Sequence, residues 1–166
     1  MISVTLSYAA SAVAALPEGS GFVVPRSSGG IVTACSFLDR KWPQRSRTGK
    51  VGLRAFVGRA GDSTGFELDD DRLVRRVHAE LAGILGIKAP PEEFRVARWP
   101  EALAQYGVGH LSLAERIHAD VTALGGVEIA GAALDGVGVP ACVQSAQDAA
   151  ARIMGFLGSE TRPGLR

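Results

Sequence analysis

A chain of 166 residues has the length of one ordinary domain and can bury a core of its own. Hydrophobic residues at 46% and charged residues at 21% exclude a disordered chain, and a formal charge of +1 gives no basis for a nucleic-acid partner. The two cysteines, Cys35 and Cys142, stand far apart without a second pair, so the pattern offers neither a metal knuckle nor a redox dithiol and reads as a cytoplasmic protein with reduced thiols.

The opening stretch from Ile2 to Leu16 is apolar, but no Lys or Arg precedes it as in a secretory signal. Ser, Thr and Pro17 also break it short of the ~20 apolar residues of a membrane span, so it reads as an internal strand. Four β-branched and aromatic runs follow one another: Ile2 to Tyr8, Gly21 to Pro25, Ile31 to Phe37 and Val51 to Val57. The Ser27-Ser28-Gly29-Gly30 turn predicts a hairpin between the second and third, and the front third reads as an antiparallel sheet.

Leu73, Val77, Leu81, Ile84 and Leu85 recur at helical spacing. Asp69, Asp70 and Asp71 stand where carboxylates favour a helix N-terminus, which accounts for the triplet without a metal. Gly86 ends that helix, and Pro90-Pro91 introduce an extended segment from Phe94 to Trp99. A second helix begins after His110 with Leu113, Ile117, Val121 and Leu124 on one face, and Gly125-Gly126 stops it. Val127 to Gly131 predicts a short strand, Asp135 to Pro140 a glycine-bearing turn, and a third helix presents Val143, Ala146, Ala150, Ile153 and Leu157 on one face. The polar tail from Gly158 to Arg166 is expected to fray. The fold class is therefore α+β.

A glycine turn between strand and helix lets backbone approach a ligand, and the helix start offers unpaired N–H groups with partial positive charge. Pro140 suits a first-turn position. By spacing alone, Gly136-Val137-Gly138 is compatible with a ligand contact or with a plain turn, because it is not the full dinucleotide fingerprint. His110 reads as a helix cap or packed polar group as readily as a catalytic one, so no acid or base is assigned. His78 and His118 read as solvated helix residues; Arg98 and Lys41 as surface cations or as partners of a carboxylated ligand.

The run Leu103 to His110, preceded by Arg98-Trp99 and followed by Ile129 to Cys142, resembles the C-terminal region of the protoporphyrinogen and coproporphyrinogen oxidases, within the flavin-containing amine oxidoreductases. Gly19 to Pro25, Lys41-Trp42-Pro43 and Leu53 to Gly58 resemble earlier strands of the same family, so the likeness covers nearly the whole chain. It implies residues 1–95 as part of a substrate-binding domain and residues 96–166 as the C-terminal segment of an FAD-binding domain. It also implies FAD beside Trp99, Gly136, Val137, Gly138 and Val139, with the following helix start favouring the anionic reduced flavin. The implied reaction passes hydride from a porphyrinogen to FAD in three rounds, with oxygen as reoxidant.

This sequence departs from the family pattern at Ala104, Leu134, Ala141 and Ala146, and it contains no Gly-x-Gly-x-x-Gly turn for the FAD pyrophosphate. Most of the FAD site is accordingly expected outside the chain, on an N-terminal FAD-binding half, and the isolated chain is expected to expose apolar surface and self-associate. The porphyrinogen-oxidase reading stands beside two others: a non-enzymatic porphyrin-binding or interaction remnant, and part of an amine or carotenoid oxidoreductase. Membrane-peripheral contact is left open, as is the choice between coproporphyrinogen and protoporphyrinogen.

Overall fold

The computed structural model describes residues 1–13, 15–46 and 48–160. In chain order the elements are strand β1 (Ile2–Ala9), β2 (Gly21–Val23), β3 (Val32–Phe37), helix α1 (Leu38–Lys41), β4 (Lys50–Val57), α2 (Thr64–Glu67), α3 (Asp70–Leu85), β5 (Glu93–Arg98), α4 (His110–Ala123) and α5 (Val139–Glu160). They form two compact units, Met1–Ala102 and Leu103–Arg166. The first unit extends to Ala102, and within it β5 pairs along its length with β1.

In the first unit the strands lie in the order β2-β3-β4-β1-β5, every neighbouring pair antiparallel. The alternation of β1 is complete: Ile2, Val4, Leu6 and Tyr8 are fully buried, while Ser3, Thr5 and Ser7 point to the other face. Leu53, Ala55 and Val57 from β4 and Cys35 and Phe37 from β3 join the buried side. One face of α3 covers it, with Leu73, Val74, Val77, Leu81 and Leu85 buried. Ile84, expected on that face, is instead half exposed. Asp69 caps α3, its carboxylate accepting from Arg72 N at 2.7 Å, and Asp70 and Asp71 occupy the first turn, so capping uses the triplet. Gly86 closes the helix at a φ of 66° and donates to Ala82 O.

Polar groups under the helix are matched to burial. Tyr8 Oη and His78 Nδ1 lie 3.2 Å apart, and burial raises the Tyr8 phenol above its ordinary range and lowers the His78 imidazole. His78 is thus partly buried and partnered, not solvated as expected, because α3 turns it onto β1. Cys35 is pushed up to about 12 by burial, which keeps it a thiol and removes it as a nucleophile.

In the second unit α4 follows Gly109, whose φ is 84°, and α5 is 22 residues long. Polar links tie both helices to the segment between them: Arg152 Nε to Glu128 Oε2 at 2.7 Å, Thr122 Oγ1 to Glu128 Oε1 at 3.3 Å, and His118 Nε2 to Asp135 Oδ1 at 2.7 Å. His118 is therefore engaged, against the expectation of a solvated ring. Three further expectations are corrected here. Residues 127–131 form no strand, because the described part of this unit contains no second strand to give them a ladder. The face of α5 turned inward carries Cys142, Ser145, Ala149, Ile153 and Phe156, whereas Val143, Ala146, Ala150 and Leu157 are exposed. Residues 158–160 continue α5 instead of fraying, and the rest of the expected tail lies outside the described residues. Among the described residues no helix is long and apolar enough to cross a membrane.

Candidate functional site

Gly136, Val137, Gly138 and Val139 run into the start of α5 in the second unit. Gly136 and Gly138 have φ values of 117° and 135°, a region a β-branched residue does not tolerate. A Cβ at Gly138 would meet nothing within 4 Å, so the backbone there faces open space, while Val137 and Val139 are exposed. The first turn of a 22-residue helix offers N–H groups without intrahelical acceptors and the positive end of its dipole. Pro140 falls in that turn, where its missing N–H costs nothing. This backbone suits an anion or an electron-rich group.

The loop is held in this form from α4 and the segment before it. Tyr106 Oη donates to Ala132 O at 2.5 Å and accepts from Gly136 N at 2.9 Å, bridging the loop. The His110 ring stacks on Tyr106 with centroids 3.8 Å apart and planes within 5°, and its Nε2 lies 3.0 Å from Leu134 O. His110 is thus a packed polar group at a helix start that fixes the loop. The sequence singled out Tyr106 only through the resemblance; its clamp depends on a contact across 30 positions that no local pattern displays.

Replacing Tyr106 by Phe keeps the stack and removes the bridge. Amide hydrogen exchange at Gly136 is expected to speed up about fivefold in Tyr106→Phe, the scale of one hydrogen bond of about 1 kcal/mol, with α3 amides unchanged. Equal exchange in both proteins would show that the hydroxyl does not hold the loop.

Trp99 lies in the first unit just beyond β5, half exposed, with its N donating to Met1 O and its O accepting from the Met1 amino group, each at 2.8 Å. Arg98 is not free for a ligand: its guanidinium bonds the Asp70 carboxylate and Leu68 O. Lys41 lies over the Trp42 ring at 5.2 Å.

A concavity of about 370 Å³ opens on the sheet face that α3 leaves uncovered. Thr5, Trp42, Lys50, Arg54 and Arg95 line it together with Asp39 and Glu93. Thr5 pairs with Arg54 on one side and Arg95 on the other, so two guanidinium-bearing residues flank one strand on the same face. The sequence reading missed this pair because it needs the register of three strands.

The family model for flavin containing amine oxidoreductases matches residues 3–154. Over 156 residues the chain is 36% identical to the coproporphyrinogen III oxidase of Bacillus subtilis, covering 93% of this chain and 33% of that protein. It is 34% identical over 141 residues to the coproporphyrinogen III oxidase of Staphylococcus aureus, covering 84% of this chain and 30% of the relative. A crystal structure from Exiguobacterium sp. 255-15 described as a protoporphyrinogen oxidase superposes with a TM-score of 0.75 at 32% identity, covering 97% of this chain and 34% of that one. The chain thus spans about a third of the length of the curated relatives it matches.

Proposed function

Because the chain belongs to the flavin-containing amine oxidoreductase family, we propose that it supplies the flavin-ring side and part of the substrate side of an FAD-dependent porphyrinogen oxidase. In this reading residues 1–95 belong to the substrate-binding domain and residues 96–166 close the FAD-binding domain. The observation that carries it is the glycine loop, open at Gly138, locked by Tyr106 and His110, and leading into the positive end of α5. FAD bound there supplies the two-electron acceptor for porphyrinogen oxidation.

The chain's own residues have definite tasks in this scheme. Gly136 and Gly138 allow the backbone to lie against the ring without a side chain between them. The N–H groups that open α5 stabilise negative charge arriving at the ring edge. Tyr106 and His110 prevent the loop from relaxing when the site is empty. In this reading the pyrophosphate grip comes from an FAD-binding region outside these 166 residues. Exposed Leu111, Leu124, Val139, Met154 and Leu157 in the second unit supply apolar surface for such a segment to cover.

The test is co-expression with the FAD-binding region of the Bacillus subtilis relative, followed by flavin absorbance of the purified pair and conversion of coproporphyrinogen III to the fluorescent porphyrin. Stoichiometric flavin and turnover in the pair, with neither in the chain alone, are expected. Tight FAD and turnover by the chain alone would overturn the divided site, and a stable pair that takes up no flavin would overturn the flavin reading.

A further inference from the structure

One stripe of α4 grips the segment that leads into α5. His110, Ala114, His118 and Thr122 recur at four-residue spacing, which puts them on one side of the helix. Ala114 is buried, and its small side chain lets the helix come close. The other three reach the following segment: His110 Nε2 lies 3.0 Å from Leu134 O, His118 Nε2 2.7 Å from Asp135 Oδ1, and Thr122 Oγ1 donates to Glu128 Oε1 at 3.3 Å.

The contact at Asp135 differs from its neighbours because it holds a charge beside the glycine loop. The peptide that presents the Gly136 N–H to Tyr106 starts at Asp135, whose own N–H donates to Gly131 O at 3.1 Å. Asp135 and Ala141, in the first turn of α5, line one concavity. A carboxylate there has two competing attractions: the imidazole of His118, and the N–H groups and positive end of the helix. Among the described residues it has taken the imidazole, and the two side chains are only 24% and 27% exposed. The other charges lining the concavity are committed, Arg152 to Glu128 and Asp148 to the Gln144 amide. The Cys142 thiol faces Gly136 O. His110 meets a backbone carbonyl and the Tyr106 ring, and one N–H serves that contact in either charge state.

We propose that His118 is a positioning residue for the glycine loop: its charged ring holds the Asp135 carboxylate off the first turn of α5, so that those N–H groups stay open to a ligand. When the ring loses its charge, the carboxylate turns to the N–H groups of Val139 and Ala141, and the loop fills its own anion site. Imidazole changes charge in the ordinary pH range, so the helix start is open at low pH and self-capped at high pH. The consequence for flavin rests on the flavin reading of this loop; the competition for the carboxylate rests on contacts inside the second unit.

The experiment follows exchange of the Ala141 amide with water by NMR in the 166-residue chain without flavin, each rate divided by the intrinsic rate at the same pH. In the unaltered chain Ala141 is expected to become about fivefold more protected between about pH 5.5 and about pH 8. His118→Gln, which keeps an N–H donor without the charge, should show the protected value throughout, and His118→Arg the open value throughout. Adding Asp135→Ala to His118→Gln should restore the open value. A contact that only holds α4 in place would instead speed the Gly136 and Ala141 amides together when it is lost. A flat pH profile in the unaltered chain, unchanged Ala141 exchange in His118→Gln, or protection that survives Asp135→Ala would each overturn the proposal. In the chain paired with the FAD-binding region of the Bacillus subtilis relative, flavin affinity should fall about fivefold in His118→Gln and recover in the double variant. A pair that takes up no flavin sinks the flavin reading and leaves the Ala141 profile to decide the role of His118. Flavin affinity indifferent to His118 sinks the positioning role and leaves the flavin reading standing.

Discussion

Glu80→Ala is expected to cost the first unit about 3 kcal/mol, a large share of the 5–15 kcal/mol by which domains are ordinarily stable. The carboxylate of Glu80 on α3 accepts from two successive backbone donors, Ile31 N at 2.9 Å and Val32 N at 3.0 Å, where the chain enters β3. Ile31 and Val32 are buried, so their N–H groups lose charge-assisted bonds that water entering the truncated position replaces only in part. Each bond to a charged group contributes roughly 1.5–3 kcal/mol, and the shared acceptor keeps the two from adding fully. Glu80→Gln retains one acceptor oxygen and turns an NH₂ against the second donor, so it should lose more than half of the same amount. The neighbouring glycine belongs to the same device: a Cβ at Gly30 would collide with the Glu80 carboxylate. Urea unfolding followed by circular dichroism, with exposed Arg75→Ala as reference, measures the difference. A loss below about 1 kcal/mol for Glu80→Ala would mean that the carboxylate does not anchor the helix to the sheet.

That anchor was not legible in the sequence, although the elements it joins were. The period-2 alternation of Ile2, Val4, Leu6 and Tyr8 and the helical spacing of Leu73, Val77 and Leu81 are local signals, and both survive because the same residues meet in the core. Asp69 and Gly86 bracket α3 as their chemistry requires. The inward face of α5 was misread for a physical reason. Hydrophobicity singled out Val143, Ala146, Ala150 and Leu157, but the inward face is chosen by what it meets in the second unit and carries Cys142, Ser145, Ala149 and Phe156 beside Ile153. The Phe156 ring lies against Gly125 and Gly126, whose missing side chains make room for it. In the candidate site, the glycines of the loop could be read from spacing. The bridge from Tyr106 to Gly136 and the arginine row at Thr5 could not, because each depends on which distant backbone comes to lie beside it.

The loop's dependence on glycine yields the larger functional effect. Gly136→Val would place a β-branched residue at a φ of 117°, and its Cβ would stand 3.1 Å from that of Ala141. Such a backbone conformation costs roughly 1–3 kcal/mol before any clash is counted. The loop can escape the strain only by rotating the Gly136 peptide, which withdraws its N–H from Tyr106 Oη and frees the start of α5. Flavin uptake by the chain paired with an FAD-binding segment is therefore expected to weaken at least thirtyfold, the equivalent of about 2 kcal/mol. The Tyr106 bridge should be lost at the same time, seen as faster exchange at the amide of residue 136. Gly155→Ala, in the middle of α5 with nothing within 4 Å of the added carbon, should leave uptake intact and stabilise the helix by up to about 1 kcal/mol. The pair of substitutions separates two roles of glycine in one unit, since conformational freedom is needed at 136 and dispensable at 155. Unchanged flavin affinity in Gly136→Val, with residue 136 still protected from exchange, would remove the glycine loop from the flavin site.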